Sequence, residues 1–261
     1  MKLCDIYDRI DAAVPKRLSD EYIAAYGGHD NSGVLIDCGK EIAGAVFSLD
    51  FSLGALETAR RSGKNLLVTH HPAIFYPVSS LQVSDPLGRR LLLAAESGIS
   101  VVSMHLNVDC AVGGTDEQLA RAIGGSGKLP PEEKIEGGGY GRIFAVPKQP
   151  FGALCAHMRE ELNTRRMFVY GREEEDVEKV ASFCGAGADG HAIARARRAG
   201  AQVLVSADIK HNVICDALES GLKVVQLTHY ASENYGFKIL YKKLSGELGV
   251  PCEYHEDAEL L

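Results

Sequence analysis

Residues 96–109 read ESGISVVSMHLNVD, and residues 219–233 read ESGLKVVQLTHYASE. Each stretch is the end of a helix, a glycine, a short apolar run, a histidine, and an acid four residues after the histidine. A glycine just past a helix takes the left-handed conformation that closes it. The apolar run behind it then reads as a buried strand. An earlier pair corresponds in the same order: ARRSGKNLLVT at 59–69 and ARRAGAQVLVS at 196–206, with Gly63 and Gly200 in the closing position. The runs IAGAVFSL at 42–49 and VEKVASFC at 177–184 match as well. Correspondences that keep their order along the chain are hard to produce by chance, so the chain reads as an internal pseudo-repeat.

Each half then runs strand, helix, strand, helix, strand, helix. That alternation places the chain in the α/β class, with a parallel or mostly parallel sheet and helices on its faces. The halves are two similar α/β lobes, 1–127 and 138–261. The linker, 128–137, sits inside the Gly- and Pro-rich charged stretch GGSGKLPPEEKIEGGGYG at 124–141.

Composition limits the function classes. The chain has 261 residues, 46% of them apolar and 24% charged, an ordinary globular balance. A net charge of −7 argues against non-specific binding to nucleic acid, whose phosphates would be repelled. It leaves room for a small phosphorylated substrate. The seven cysteines are scattered, odd in number and never spaced C-x-x-C. A disulfide framework or a structural zinc knuckle is therefore not expected, and the cysteines read as reduced. No apolar h-region opens the chain and no run is long enough to span a membrane. The expectation is a cytoplasmic protein without membrane contact.

In parallel α/β sheets, ligands gather beyond the carboxyl ends of the strands. Three such ends carry metal-ligand residues here. Asn65–Thr69 runs into His70-His71-Pro72, Ser100–Met104 into His105, and Lys223–Thr228 into His229. If a helical turn follows each strand, positions i and i+4 share a face. His105 with Asp109, and His229 with Glu233, then each aim an imidazole and a carboxylate at one point. Adjacent side chains such as His70 and His71 diverge and suit neighbouring ions. Four imidazoles and two carboxylates are many donors for one ion and fit two divalent ions such as Zn, Mn, Fe or Co. Any one of these elements alone is commonplace on a protein surface; their recurrence at three strand ends in a repeated frame carries the inference.

Other residues read less sharply. Asp208 stands in the second half where His71 stands in the first. Asp208, Lys210 and His211 are candidates for contacts around the metals or the substrate, and a helix N-cap at Asp208 is an equal alternative. Gly113–Glu117 opens an apparent helix, more a turn and cap than an anion site. His29, His157, His191 and His255 lack ligand-like companions. The residues of direct catalysis are not identified.

The same motifs resemble the GTP cyclohydrolase I type 2 family, also called the Nif-three-like family. The resemblance runs from Asp30-Asn31-Ser32-Gly33-Val34-Leu35 through Thr69-His70-His71-Pro72 and His105-Leu106-Asn107-Val108-Asp109 with Gly113-Gly114. It continues through Cys184-Gly185-Ala186-Gly187, Asp208-Ile209-Lys210-His211 and Thr228-His229-Tyr230-Ala231-Ser232-Glu233. It implies a dinuclear metal centre on His70, His71, Asp109, His229 and Glu233, with His105 in the same motif. It further implies that the metals sit in the cleft between two similar lobes, and that the protein assembles as a toroidal homo-hexamer. The chain departs from the family pattern at Ser206-Ala207, at Cys110 and at Asn212; these changes bear on substrate contacts and leave the metal donors intact.

The functional expectation is a metal-dependent hydrolase acting on a nucleotide-like small molecule through a metal-activated water. The family name implies ring opening of GTP by attack at C8 of guanine. The alternatives are a phosphoesterase, since two metals also suit displacement at phosphorus, and a non-enzymatic metal-binding or regulatory assembly protein.

Overall fold

In the computed structural model, which describes all 261 residues, the four repeat glycines close their helices in the left-handed conformation. Their φ angles are 69° at Gly63, 66° at Gly98, 71° at Gly200 and 80° at Gly221. Each leads into a strand, as the apolar runs require. The strands in chain order are β1 (Gly33–Ile36), β2 (Ala45–Ser48), β3 (Leu66–Thr69), β4 (Ser100–Ser103), β5 (Pro131–Ile135), β6 (Gly138–Pro150), β7 (Met167–Tyr170), β8 (Asp176–Ser182), β9 (Val203–Ala207), β10 (Lys223–Leu227) and β11 (Cys252–Tyr254).

The chain forms two compact units. One comprises residues 1–108 and 237–257, the other residues 109–236 and 258–261. The first holds a five-stranded sheet in the order β1-β4-β3-β2-β11. Its strands are parallel except β1, which runs antiparallel to β4. The second holds a six-stranded sheet in the order β5-β6-β8-β9-β10-β7. There β8, β9 and β10 are parallel, and β7 runs antiparallel to β10. The order β1-β4-β3-β2 in one sheet therefore has its counterpart in β7-β10-β9-β8 of the other. The pseudo-repeat is real at the level of topology and includes an antiparallel edge strand that the sequence pattern did not reveal.

Every residue of β2, β3 and β4 is buried. Burial on both faces explains why these strands read as unbroken apolar runs. In the first unit the helices Leu53–Arg61 and Pro86–Ser97 supply Leu56, Ala59, Leu91 and Ala94 to a core with Val46, Leu67 and Val101. Each such Leu or Val contributes roughly 1.5–3 kcal/mol by leaving water. No helix is long and apolar enough to cross a membrane.

Three expectations are corrected. Residues 128–137, expected as a linker, contain β5, which pairs antiparallel with β6 through a tight turn at Glu136-Gly137. The glycines there serve close packing rather than slack. A Cβ at Gly138 would strike the Cys110 carbonyl, and one at Gly139 the Glu133 carbonyl. The long β6 runs antiparallel to both β5 and β8, so with β7·β10 three of the five pairings in the second sheet are antiparallel, and the expected mostly parallel sheet is found only in the first unit. The compact units are also not two consecutive stretches. β11 pairs with β2, Cys252 opposite Ala45, so the C-terminal segment belongs to the first sheet. The helix Thr115–Ile123 packs on β6 and so belongs to the second unit.

Candidate metal centre

In the first unit, His70 and His71 leave the carboxyl end of β3. The His70 amide donates to the carbonyls of Ser48 and Leu49 at 3.3 and 3.1 Å, and that of His71 to Leu49 at 2.9 Å. The Thr69 hydroxyl donates to the His71 carbonyl at 2.8 Å and lies 2.7 Å from the Ser103 hydroxyl. Ser103 in turn accepts the Ala73 amide at 3.2 Å. Two small hydroxyl residues on adjacent strands thus fix the turn that presents both rings. The nitrogens of His70, His71 and His105 available to a metal lie within 4.8 Å of one another.

Each of these rings has its Nδ1 turned to an oxygen. His70 Nδ1 is 2.8 Å from the Met104 carbonyl, His71 Nδ1 is 2.7 Å from Asp50, and His105 Nδ1 is 2.7 Å from Asp30. Carbonyl and carboxylate oxygens only accept, so Nδ1 carries a proton in each ring and Nε2 is the nitrogen left to meet a metal. Burial would push Asp30 up, but hydrogen bonds from His105, Ser19 and Ser32 hold its carboxyl well below the usual carboxylate range. Asp30 is therefore a dependable anion behind His105.

In the second unit, β10 ends at Leu227 and His229 opens the helix His229–Leu244. His229 Nδ1 is 2.7 Å from Asp208, and its Nε2 is 3.2 Å from Glu233, one helical turn on. Glu233 is buried, and Gly185 makes room for it. A Cβ at Gly185 would run into the Glu233 carboxylate. Gly185 is held in place by its amide, which donates to Ser232 Oγ at 3.0 Å, and by its carbonyl, which accepts from Ser206 Oγ at 3.0 Å. Asp208 supports His229 from the left-handed region, φ 48°. Asp is one of the few residues that tolerate that conformation.

Asp109 receives two donors on one oxygen. The Thr115 hydroxyl and the Cys184 thiol, 3.3 Å away, both point at Oδ1. Burial, then the charges of Asp109, Asp116 and Glu233, push the Cys184 thiol far up. It stays protonated and acts as a hydrogen-bond donor, not a thiolate ligand. The Cys184 amide donates to Asp116 at 3.1 Å, and Asp116 forms a buried ion pair with Arg142 at 2.9 Å.

The sequence-derived residues thus sort by unit. His70, His71 and His105 come together in the first; His229 and Glu233 come together in the second, where Asp109 sits against Cys184. His105 turns to Asp30, a partner outside its own H-x3-D motif. Asp208 touches His229 and does not cap a helix; the next helix starts at His211, after Lys210. Lys210 and His211 bond to none of the donors, and His211 Nε2 lies 3.6 Å from Cys215 Sγ. The segment 113–117 forms the expected turn and cap, with Glu117 accepting the Gly113 amide at 2.9 Å. All seven cysteines are free. Sequence reasoning missed Asp50, although it follows β2 just as His71 follows β3. It also missed Thr115 and Cys184 as supports of Asp109.

A family model described as Duf34/NIF3 (NGG1p interacting factor 3) matches residues 1–256. The chain belongs to this family. Among curated relatives, a GTP cyclohydrolase 1 type 2 homolog of Clostridium perfringens is 26% identical over 237 residues, covering 89% of this chain and 87% of its own. One from Methanocaldococcus jannaschii is 28% identical over 250 residues, covering 95% and 96%. Among solved structures, a Staphylococcus aureus hypothetical protein superposes with a TM-score of 0.84 at 22% identity, covering 98% of this chain and 96% of that one. Reduced HcgD from Methanocaldococcus jannaschii has a TM-score of 0.80 at 26% identity, covering 97% of each chain. The NIF3 fold therefore accounts for the whole chain, and its His, Asp and Glu groups are of a kind that could hold metal ions.

Proposed function

We propose that this NIF3-family chain is a metal-dependent hydrolase whose two divalent ions are held by His70, His71, Asp109, His229 and Glu233, with His105 as a further donor. The observation that carries the proposal is the state of the rings. All four imidazoles have Nδ1 committed to an oxygen acceptor, at 2.7–2.8 Å. Such an arrangement fixes the ring orientation, leaves Nε2 as the coordinating atom and raises its basicity, as in metal-binding histidines generally. The named donors are imidazole nitrogens and carboxylate oxygens, a mixed N/O set. That set fits borderline divalent ions such as Zn, Mn, Fe or Co.

Two ions bound there would supply an activated water and polarise the electrophile of a nucleotide-like substrate. The chain's own contribution is positional. Thr115 and Cys184 orient Asp109, Gly185 gives Glu233 its place, and Asp30, Asp50 and Asp208 hold their imidazoles against rotation. The assembly that accompanies this reading is a homo-hexamer, checked by light scattering for a mass six times that of the chain.

Elemental analysis of purified protein is expected to give close to two ions per chain. Metal-loaded protein is then incubated with GTP and with a panel of phosphodiesters. Ring-opened or hydrolysed product confirms the reading and separates GTP hydrolysis from phosphoester chemistry. Two bound ions with no turnover of any nucleotide would overturn the hydrolase in favour of a metal-binding or regulatory protein.

A further inference from the structure

His29, which looked unremarkable in the sequence, joins a small aromatic cluster that starts at His105. Phe75 sets its edge against the His105 ring, with centroids 5.9 Å apart and planes at 89°. Tyr76 and His29 each meet Phe75 edge-on, at 4.8 and 5.0 Å. Tyr76 and His29 stack on each other, 5.1 Å apart and only 8° from parallel. Tyr76 remains 65% exposed.

The cluster is braced by the tripeptide that also serves the metal donors. His29 Nε2 lies 2.7 Å from the Phe75 carbonyl, and Asn31 donates to the Ile74 carbonyl at 2.5 Å. Asp30, between them, holds His105. Three consecutive side chains thus fix the loop after His71 and the His105 ring in one frame. An exposed tyrosine whose inner face is already stacked presents its outer face, ready-made, to another ring. Aromatic faces bind bases with little dependence on base identity, at roughly 1–3 kcal/mol per stacked ring.

We propose that the outer face of Tyr76, backed by His29 and Phe75, is a stacking platform for a planar heteroaromatic ring of the substrate. The proposal rests on the hydrolase reading above and specifies the substrate class: the ring stacks on Tyr76, one aromatic residue removed from His105.

The test is calorimetric binding of guanosine 5′-monophosphate, adenosine 5′-monophosphate and ribose 5-phosphate to full-length protein, with bound metal measured in parallel. Tyr76→Leu and His29→Leu are expected to weaken both nucleotides by roughly 5- to 100-fold. Tyr76→Leu should leave ribose 5-phosphate binding and metal content unchanged. Tyr76→Phe, which keeps the ring, should bind nucleotides like the unsubstituted protein. Three outcomes overturn the platform: no nucleotide binding by the unsubstituted protein, equal binding by Tyr76→Leu, or a loss in Tyr76→Phe as large as in Tyr76→Leu. A change of oligomeric mass in Tyr76→Leu with nucleotide binding intact also overturns it and assigns the face to a second copy of the chain. If two ions bind and hydrolysis proceeds without any Tyr76 dependence, only the platform is lost. If no ions bind while Tyr76→Leu still weakens nucleotide binding, the hydrolase reading is lost and the platform stands.

Discussion

In the first unit the ends of β3 and β4 carry His70, His71 and His105; in the second the ends of β9 and β10 carry Asp208 and His229. The sheets share a strand order, and the third strand of each repeat leads to a histidine. The position after the second strand has diverged, from a histidine pair in one unit to an aspartate that buttresses a histidine in the other. One unit therefore gathers imidazole nitrogens, while the other holds the carboxylates of Asp109 and Glu233. The bracing differs too. Asp30 in the first unit is kept ionised by Ser19, Ser32 and His105. The second unit uses a buried Arg142–Asp116 pair to hold the Cys184 amide. A duplicated scaffold can thus keep its geometry while its halves specialise in different donor chemistry.

Removing the anionic donors attacks that division most directly. Asp109→Asn and Glu233→Gln are expected to lower metal affinity by more than about 100-fold, read by chelator competition, with the circular dichroism spectrum retained; second-sphere losses alone reach ~10–100-fold. If His105→Ala matches the loss in His71→Ala, His105 is a direct donor; a loss of about tenfold or less marks it as a support.

Next in size is Arg142→Met, which strands a buried carboxylate in the second unit alone. Urea unfolding should show a loss of about 3–5 kcal/mol, largely recovered by adding Asp116→Asn. Equal destabilisation of the double variant would show that Arg142 acts through packing and its bonds to the Gly139 and Gly141 carbonyls rather than through the ion pair.

Asp50→Asn and Asp208→Asn test whether the two units brace their imidazoles by the same device. Each is expected to cost ~10–100-fold in metal affinity with little change in stability. Unequal losses would mean that one unit dominates metal retention.

The smallest effect is expected for Ser32→Ala, which takes one donor from Asp30. A lost hydrogen bond to a charged group costs about 1.5–3 kcal/mol. Asp30 lies below its unfolded value, so it stabilises the fold above that value and loses the contribution as pH falls. The Ser32→Ala penalty should therefore be full at pH 7 and shrink as the pH drops below about 4. A penalty independent of pH would place the serine's role in its bonds to the His105 amide and to Asn107.

The strand ends and glycine stops were legible in the sequence because each is a local pattern: an apolar run, a residue that tolerates positive φ, a histidine. The clustering of His70, His71 and His105, and the pairing of His229 with Glu233, followed from that placement. β6 was hidden because its glycine-rich start imitates a linker, when the missing side chains actually admit neighbouring carbonyls. Thr115, Cys184 and Asp50 were illegible for a different reason. Each matters only through a partner distant in sequence or across a turn, which spacing does not encode. His29 was passed over because its role depends on Phe75 and Tyr76, more than forty positions away.

The committed Nδ1 atoms have a consequence for how quickly the protein can be reconstituted. A ring tied at one nitrogen has already surrendered its torsional freedom during folding, as have the residues that tie it. An ion bound as proposed would meet donors that need no search for their orientation. Uptake should then be limited by diffusion and loss of the ion's own water, with exchange rates that track the aqueous lability of the metal offered.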